Sequence, residues 1–189
     1  ASMPSWAEWL ARIFSWLGGW IGWTLMSAGL VVLLVAKRRA ADALWAAATL
    51  AGIYLVVTPV LKEVFDRPRP DVGSAVPLPF SDSFPSGHSS GAVVMFGVLA
   101  LLSAEWWSER TRQLWAGAAF VALAIGASRV VLNVHHVSDV LAGFSLGLVW
   151  LAAMLLVRGS RRYPWAHGRD DAEPRSASRG DRGPARLGP

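Results

Sequence analysis

Five long apolar runs, each free of charged side chains, constrain this 189-residue chain more than any other feature of its sequence. They cover residues 20–36, 43–61, 89–104, 114–128 and 140–157, and the fourth continues over residues 130–132 beyond Arg129. A transmembrane helix needs about 20 mostly apolar residues, with about 17 as the lower limit. None of the runs alternates as a strand would, and open strands leave backbone groups unsatisfied in lipid. The sequence therefore predicts an all-α fold, an integral membrane helical bundle of five to six transmembrane helices.

Residues 1–19 are expected to form a separate N-terminal helix. Apolar residues recur there at helical spacing, while the charged Glu8 and Arg12 fall elsewhere. This pattern is typical of an amphipathic helix that lies in the membrane interface. The alternative is a short extra spanning helix broken by Gly18 and Gly19. We prefer the interface because Glu8 and Arg12 would be costly at the middle of a bilayer.

Composition and charge separate a membrane domain from a basic tail. Only 16% of the residues are charged, against about 25% in soluble proteins. Eight arginines and four acidic residues in residues 158–189 account for most of the net charge of +5. A basic tail after an apolar segment predicts attraction to anionic lipids rather than to nucleic acid. We therefore expect a transmembrane domain over residues 20–157 and a disordered cytoplasmic tail over residues 158–189.

The distribution of basic residues predicts how the chain threads through the membrane. If the five runs cross in alternate directions, the clusters at residues 37–39, 110–112 and 158–162 fall on one face. Loops rich in arginine and lysine stay in the cytoplasm, so this face is predicted to be the inner one. The same threading places Lys62 and Arg129 on the outer face, where isolated cations need another explanation.

Three segments fall together on that outer face and hold most of the chemically capable side chains outside the tail: residues 62–70, 85–88 and 128–139. The positive charges of Lys62, Arg69 and Arg129 need an anionic partner, and phosphate oxygens match the planar fork of arginine. Ser86 and Gly87 begin a helix, where free backbone N–H groups and the helix dipole favour an anion. Together they predict a phosphate-binding site.

Two histidines and an aspartate add catalytic groups to the same face. His135 stands four residues before Asp139, a spacing that places both on one side of a helix. A carboxylate that holds one ring nitrogen leaves the other free to act as a nucleophile or base. Each feature alone has an ordinary interpretation as a membrane anchor, a helix cap or a structural hydrogen bond. Their convergence on one face, with His88, favours phosphoryl transfer that requires no metal or other cofactor.

These residues resemble, in order, the three motifs of the type 2 phosphatidic acid phosphatase family, which itself resembles the vanadium haloperoxidases and some bacterial acid phosphatases. The motifs Lys-x6-Arg-Pro, Pro-Ser-Gly-His and Ser-Arg-x5-His-x3-Asp correspond to Lys62 to Arg69-Pro70, to Pro85 to His88, and to Ser128-Arg129, His135 and Asp139. His136 directly follows His135, but the motif spacing selects His135. Family members commonly have six spanning helices, which leaves the role of residues 1–19 open.

The resemblance implies a role for each matching residue. His135 would attack phosphorus and carry the phosphate, Asp139 would orient it, and His88 would protonate the leaving oxygen. The phosphate would be bound by the remaining motif residues: Lys62, Arg69, Ser86, Gly87 and Arg129. Asp66 and Arg67, which lie inside the first motif, are interpreted as local charge tuning.

The sequence thus predicts a multi-pass lipid phosphatase of the cell membrane, metal-independent, with its active site on the extracytoplasmic side. The expected partners are membrane lipids and a lipid phosphate substrate, first a polyprenyl phosphate or diphosphate and next phosphatidic acid or phosphatidylglycerol phosphate. One alternative is a phosphotransferase that passes the phosphoryl group from His135 to an alcohol. Another is a non-enzymatic phospholipid-binding protein or scramblase. The sequence gives no indication of oligomeric state.

Overall fold

The computed structural model describes residues 5–70 and 82–159, which are helical apart from short connections. The α-helices are α1 (Ser5–Gly18), α2 (Trp20–Ala36), α3 (Ala40–Ala51), α4 (Thr58–Phe65), α5 (Gly87–Ala104), α6 (Thr111–Val131) and α7 (Val137–Arg158). A π-helical segment, Gly52–Val57, joins α3 to α4, and a 3-10 turn, Ser108–Arg110, precedes α6. The predicted all-α fold is confirmed, whereas the predicted tail lies, beyond Gly159, outside the described residues.

Four helical stretches of the described chain are long and apolar enough to cross a membrane: Ala40–Phe65, Gly87–Ala104, Ser108–Val131 and Val137–Arg158. The first of these combines α3, the π-helical segment and α4. Helix α2 has only 17 residues, and it forms a fifth candidate span together with α1, from which it is bent by 49°. Four of the five predicted runs are thus independent spans, and the run at residues 20–36 continues from α1. The predicted integral membrane bundle is confirmed.

Helix α5 forms the centre of the bundle, and α7 approaches it through glycine. A Cβ atom on Gly143 would lie 2.6 Å from the carbonyl oxygen of Ser86, and one on Gly147 would lie 2.8 Å from that of Ser90. Small residues allow helix backbones to come this close in membranes. The approach also lets the backbone N–H of Ser86 donate to the carbonyl of Asp139 at 3.0 Å. It therefore joins the start of α5 to the start of α7.

A network of ion pairs joins the helices at one end of the bundle. Asp42, which is 4% exposed, pairs with Arg39 at 2.6 Å and with Arg158 at 2.7 Å. Both arginines also pair with Glu105, Arg158 at 2.9 Å. The guanidinium of Arg158 lies 4.7 Å from the ring centroid of Trp45. The network shows that the basic turn before α3 and the end of α7 lie at the same end of the bundle.

Helix α1 packs against the C-terminal half of α6. Ala11 is buried in a cluster with Leu132 and Val134, just beyond the end of α6. Six residues later, Leu17 packs against a cluster that contains Ile125. Helix α1 is therefore in contact with the bundle at the end opposite the ion network. Whether it also lies in the membrane interface stays a prediction.

Candidate active site

Four helix ends bring the three motif segments together. Lys62 lies in the last turn of α4, and Ser86 is the N-cap of α5. Arg129 lies in the last turn of α6, and Asp139 lies in the first turn of α7. Because consecutive spans run in opposite directions, these four ends meet at one end of the bundle, away from the ion network.

The start of α5 presents backbone donors at this end. Ser86 is fully buried, and its Oγ accepts hydrogen bonds from the backbone N–H and the hydroxyl of Ser89 at 3.4 Å and 3.0 Å. The first N–H groups of a helix have no intrahelical partner. The N–H of Gly87, the first residue of α5, lies where a helix can bind an anion, and its role in phosphate binding stays a prediction.

His135 lies in the turn between α6 and α7, and it is only 4% exposed. Its Nε2 atom lies 3.4 Å from Nη1 of Arg69, which also donates to the carbonyl of Val134 at 2.7 Å. Its Nδ1 atom lies 3.6 Å from Oδ2 of Asp139 and has no hydrogen-bond partner among the described residues. The imidazole thus stands between a guanidinium on one side and a carboxylate on the other.

The surroundings of His135 keep its ring neutral. Burial lowers the pKa of His135 far below its usual value, and the positive charges of Arg69, Arg129 and Lys62 lower that pKa further. His88 acts on the pKa of His135 in the same direction. All four neighbours are therefore close enough to exert an electrostatic effect on one imidazole. A neutral ring has the free electron pair that a nucleophile requires.

The carboxylate of Asp139 is fully buried and shared among several donors. Its Oδ2 accepts the backbone N–H of His136 at 2.8 Å, with Nδ1 of the same histidine at 3.3 Å. Asp139 is the third residue of α7 and His136 precedes that helix, so the first contact is half of a capping box. The approach of His135 at 3.6 Å is longer than a hydrogen bond.

Arg67 is a site residue whose contacts the sequence reasoning missed. Its Nη1 donates to Oδ1 of Asp139 at 2.8 Å and to Oγ of Ser138 at 2.8 Å. Arg67, which the sequence suggested only as local charge tuning, therefore bonds directly to the buried carboxylate of Asp139. The Arg-Pro-Arg-Pro sequence contains a signal for it, because proline favours extended backbone and residues two apart in an extended segment share a side.

Ser15 of α1 is a second residue that the motifs did not indicate. Its hydroxyl accepts a hydrogen bond from Nη1 of Arg129, and its main chain is hydrogen-bonded to the side chain of His88. Arg129 is 4% exposed, and its Nε has no hydrogen-bond partner among the described residues. The remaining cation, Lys62, donates to the carbonyl of Asp82.

The assembled groups suit a bound oxyanion. Buried charges need a partner of opposite sign. Among the described residues, the three cations Lys62, Arg69 and Arg129 outnumber the two nearby carboxylates of Asp82 and Asp139. Further donors are the Nε of Arg129, which has no hydrogen-bond partner in the described part of the chain, and the N–H of Gly87. Such a cluster can hold phosphate oxygens beside a neutral imidazole.

Similar proteins are known. Phosphatidylglycerophosphatase B of Bacillus subtilis (strain 168) is 40% identical over 111 residues, which cover 57% of this chain and 53% of that protein. Lipid A 1-phosphatase of Rhizobium johnstonii is 33% identical over 144 residues, which cover 66% of this chain and 54% of that protein. The chain thus spans about half the length of the curated relatives it matches.

The fold also matches a solved structure. The crystal structure of the first transmembrane PAP2 type phosphatidylglycerolphosphate phosphatase from Bacillus subtilis aligns with a TM-score of 0.73 and 29% identity. The alignment covers 82% of this chain and 78% of that chain. In addition, the family model described as the PAP2 superfamily matches residues 41–163 and so includes all three motif segments. With a match over more than half of its length, the chain belongs to the PAP2 superfamily.

Proposed function

We propose that this multi-pass membrane protein is a lipid phosphatase that works through a phosphohistidine at His135. The observation that carries the proposal is the position of that neutral, buried imidazole between Arg69 and Asp139. Cations beside a neutral nucleophile suit attack on an anionic phosphate. The relatives phosphatidylglycerophosphatase B and lipid A 1-phosphatase, by their names, act on lipid phosphates, which supports the same class of substrate here.

Binding would use the cations and the start of α5. Lys62, Arg69 and Arg129 neutralise charge on the non-bridging phosphate oxygens, and the N–H of Gly87 donates to one of them. Stabilisation of these oxygens is the main contribution that a protein makes to phosphoryl transfer. Ser86 holds the first turn of α5 through its bonds to Ser89, which keeps that N–H in place.

The chemical steps follow from the surroundings of the two ring nitrogens of His135. Nε2 of His135 attacks phosphorus while the bond between phosphorus and the lipid oxygen breaks. His88, which becomes protonated once the bound phosphate offsets the surrounding cations, gives its proton to that oxygen. The proton on Nδ1 faces Asp139, whose negative charge stabilises the phosphorylated ring. Water then attacks phosphorus, the phosphorus–nitrogen bond breaks, and His88 takes the proton from water. Inorganic phosphate and a dephosphorylated lipid leave.

The distribution of charge supports an active site on the extracytoplasmic side. Arg39 and Arg158 share one end of the bundle, and His135 lies at the other. Basic helix ends favour the cytoplasm, so the basic tail that follows Arg158 would be cytoplasmic as well. A lipid phosphate would enter from the outer leaflet, with its tails among the apolar outer surfaces of the helices.

A panel of lipid phosphates tests the function. Purified protein in detergent is given phosphatidylglycerol phosphate, polyprenyl diphosphate and monophosphate, phosphatidic acid and lipid A phosphate side by side. Because of the relatives we place phosphatidylglycerol phosphate first, ahead of the polyprenyl lipids that the sequence favoured. We expect chelator-resistant phosphate release by the wild type and none by His135→Ala. Phosphate release that equals lipid consumption also separates hydrolysis from phosphotransfer. Release from no lipid, or release by His135→Ala, would overturn the proposal.

A further inference from the structure

The N-terminal helix α1 lies outside the region that matches the family, but one of its residues, Ser15, contacts the active site. The family match begins at residue 41, and the first motif begins at Lys62. Ser15 nevertheless touches two of the residues to which the reaction is assigned. Its hydroxyl accepts from Arg129, and its main chain is hydrogen-bonded to His88.

The junction of α1 and α2 is packed tightly against the same histidine. A Cβ atom on Gly18 would lie 2.6 Å from Cγ2 of Ile125 and 3.3 Å from Cδ2 of His88. A Cβ atom on Gly19 would lie 3.3 Å from the carbonyl oxygen of Ser15 and 3.7 Å from Nε2 of His88. The glycines thus let the chain close over one side of the imidazole, where the Ser15 carbonyl is within reach of the ring.

The chemistry of a serine at this position matters for the charge of the site. A hydroxyl fixes the direction of the Arg129 guanidinium but leaves its full positive charge for a bound anion. A carboxylate in the same place would form an ion pair and neutralise that charge. One ring nitrogen of His88 is hydrogen-bonded to the carbonyl of Ser15. The other ring nitrogen is therefore the one that remains for another partner.

We propose that Ser15 is a positioning residue of the active site, which orients Arg129 towards the phosphate and His88 towards the leaving oxygen. The inference rests on the proposed function and deepens it, because it adds α1 to the catalytic unit. It also gives α1 a role at the site, whether or not this helix lies in the membrane interface.

Three variants of Ser15 test the role of its hydroxyl. Ser15→Ala should weaken binding of inorganic vanadate and raise KM for phosphatidylglycerol phosphate by about 10-fold, the effect of one charge-assisted hydrogen bond. Ser15→Thr, which keeps a hydroxyl, should restore both values to within about 3-fold of the wild type. Ser15→Asp should weaken vanadate binding more than Ser15→Ala, because it neutralises Arg129. A merely structural role would not produce this order.

The matched control is Ser27→Ala on α2, since the Ser27 hydroxyl is buried and has no hydrogen-bond partner among the described residues. It should leave vanadate binding and KM unchanged, and thermal unfolding in detergent should show that all variants are folded. Vanadate binding is measured by calorimetry and does not depend on turnover. If no lipid is hydrolysed but Ser15→Ala still weakens vanadate binding, the proposed function fails and the positioning role survives. Wild-type affinity and KM in Ser15→Ala would overturn the positioning role.

Discussion

Replacing Arg67 with methionine tests whether the buried aspartate of this PAP2 protein depends on a residue that is not one of the motif positions. Arg67 donates to Oδ1 of Asp139 at 2.8 Å. The Asp139 side chain is 0% exposed, while that of Arg67 is 38% exposed. The substitution leaves one buried carboxylate oxygen without its charged donor, while the other oxygen keeps the N–H of His136.

The expected magnitude follows from that contact. A hydrogen bond to a charged group contributes about 1.5–3 kcal/mol. Partial exposure of Arg67 favours the lower end of this range, since water can replace part of the interaction. A loss of about 1.4 kcal/mol corresponds to a factor of ten. We therefore expect Arg67→Met to lower kcat about 10-fold, because Asp139 no longer holds its place beside His135, with KM close to the wild-type value.

Initial rates of phosphate release in mixed micelles measure both constants. Arg110→Met is the matched control, because Arg110 is exposed and lies at the other end of the bundle. Arg67 also lines an open cavity of about 360 Å³ with Phe65 and Phe84, and a lipid bound in that cavity would contact it. A raised KM with kcat intact would mean that Arg67 binds substrate there. That result, or a kcat within twofold of the wild type, would show that Arg67 does not hold Asp139 beside His135.

Three further predictions concern acid catalysis, stability and protonation. His88→Ala should lower kcat about 100- to 10,000-fold through loss of the general acid, and near-normal phosphate release would exclude that role. Asp42→Asn should lower the free energy of unfolding, measured by denaturant titration, by about 3 kcal/mol, because Arg39 and Arg158 lose a buried carboxylate. A change below about 0.5 kcal/mol would count against the ion network. Because the pKa of His135 is lowered, its ring should stay neutral as the pH falls, with no NMR titration between about pH 8 and 5. A midpoint near 6.5 would contradict this.

The convergence of the motif residues at one end of the bundle could be predicted from the sequence, because it depends only on the number and order of the spanning helices. Apolar runs of spanning length alternate in direction, so Lys62, Arg129 and Asp139 must reach the same end once the helices are counted. The basic clusters at the other end follow from the same count. The ends of helices are therefore well determined even where the packing between helices is not.

The partners of Asp139 could not be read from spacing. The interval of four residues suggested a helical pair with His135, but α7 begins at Val137, so His135 precedes the helix and the helical geometry does not apply to it. The carboxylate instead caps its own helix through His136. The contact of Ser15 with Arg129 could not be predicted for another reason. The apolar face of α1 predicts that this helix is buried on one side, but it does not show which helix it packs against.

The most direct test of the phosphohistidine is to trap it. The purified protein is mixed with radiolabelled phosphatidylglycerol phosphate, quenched within the first turnovers, and digested for peptide mapping. We expect a covalent label on His135 that is stable to alkali and labile to acid, and that is absent from His135→Ala. Phosphate release without any covalent label, or a label on His136 or on a carboxylate, would contradict it.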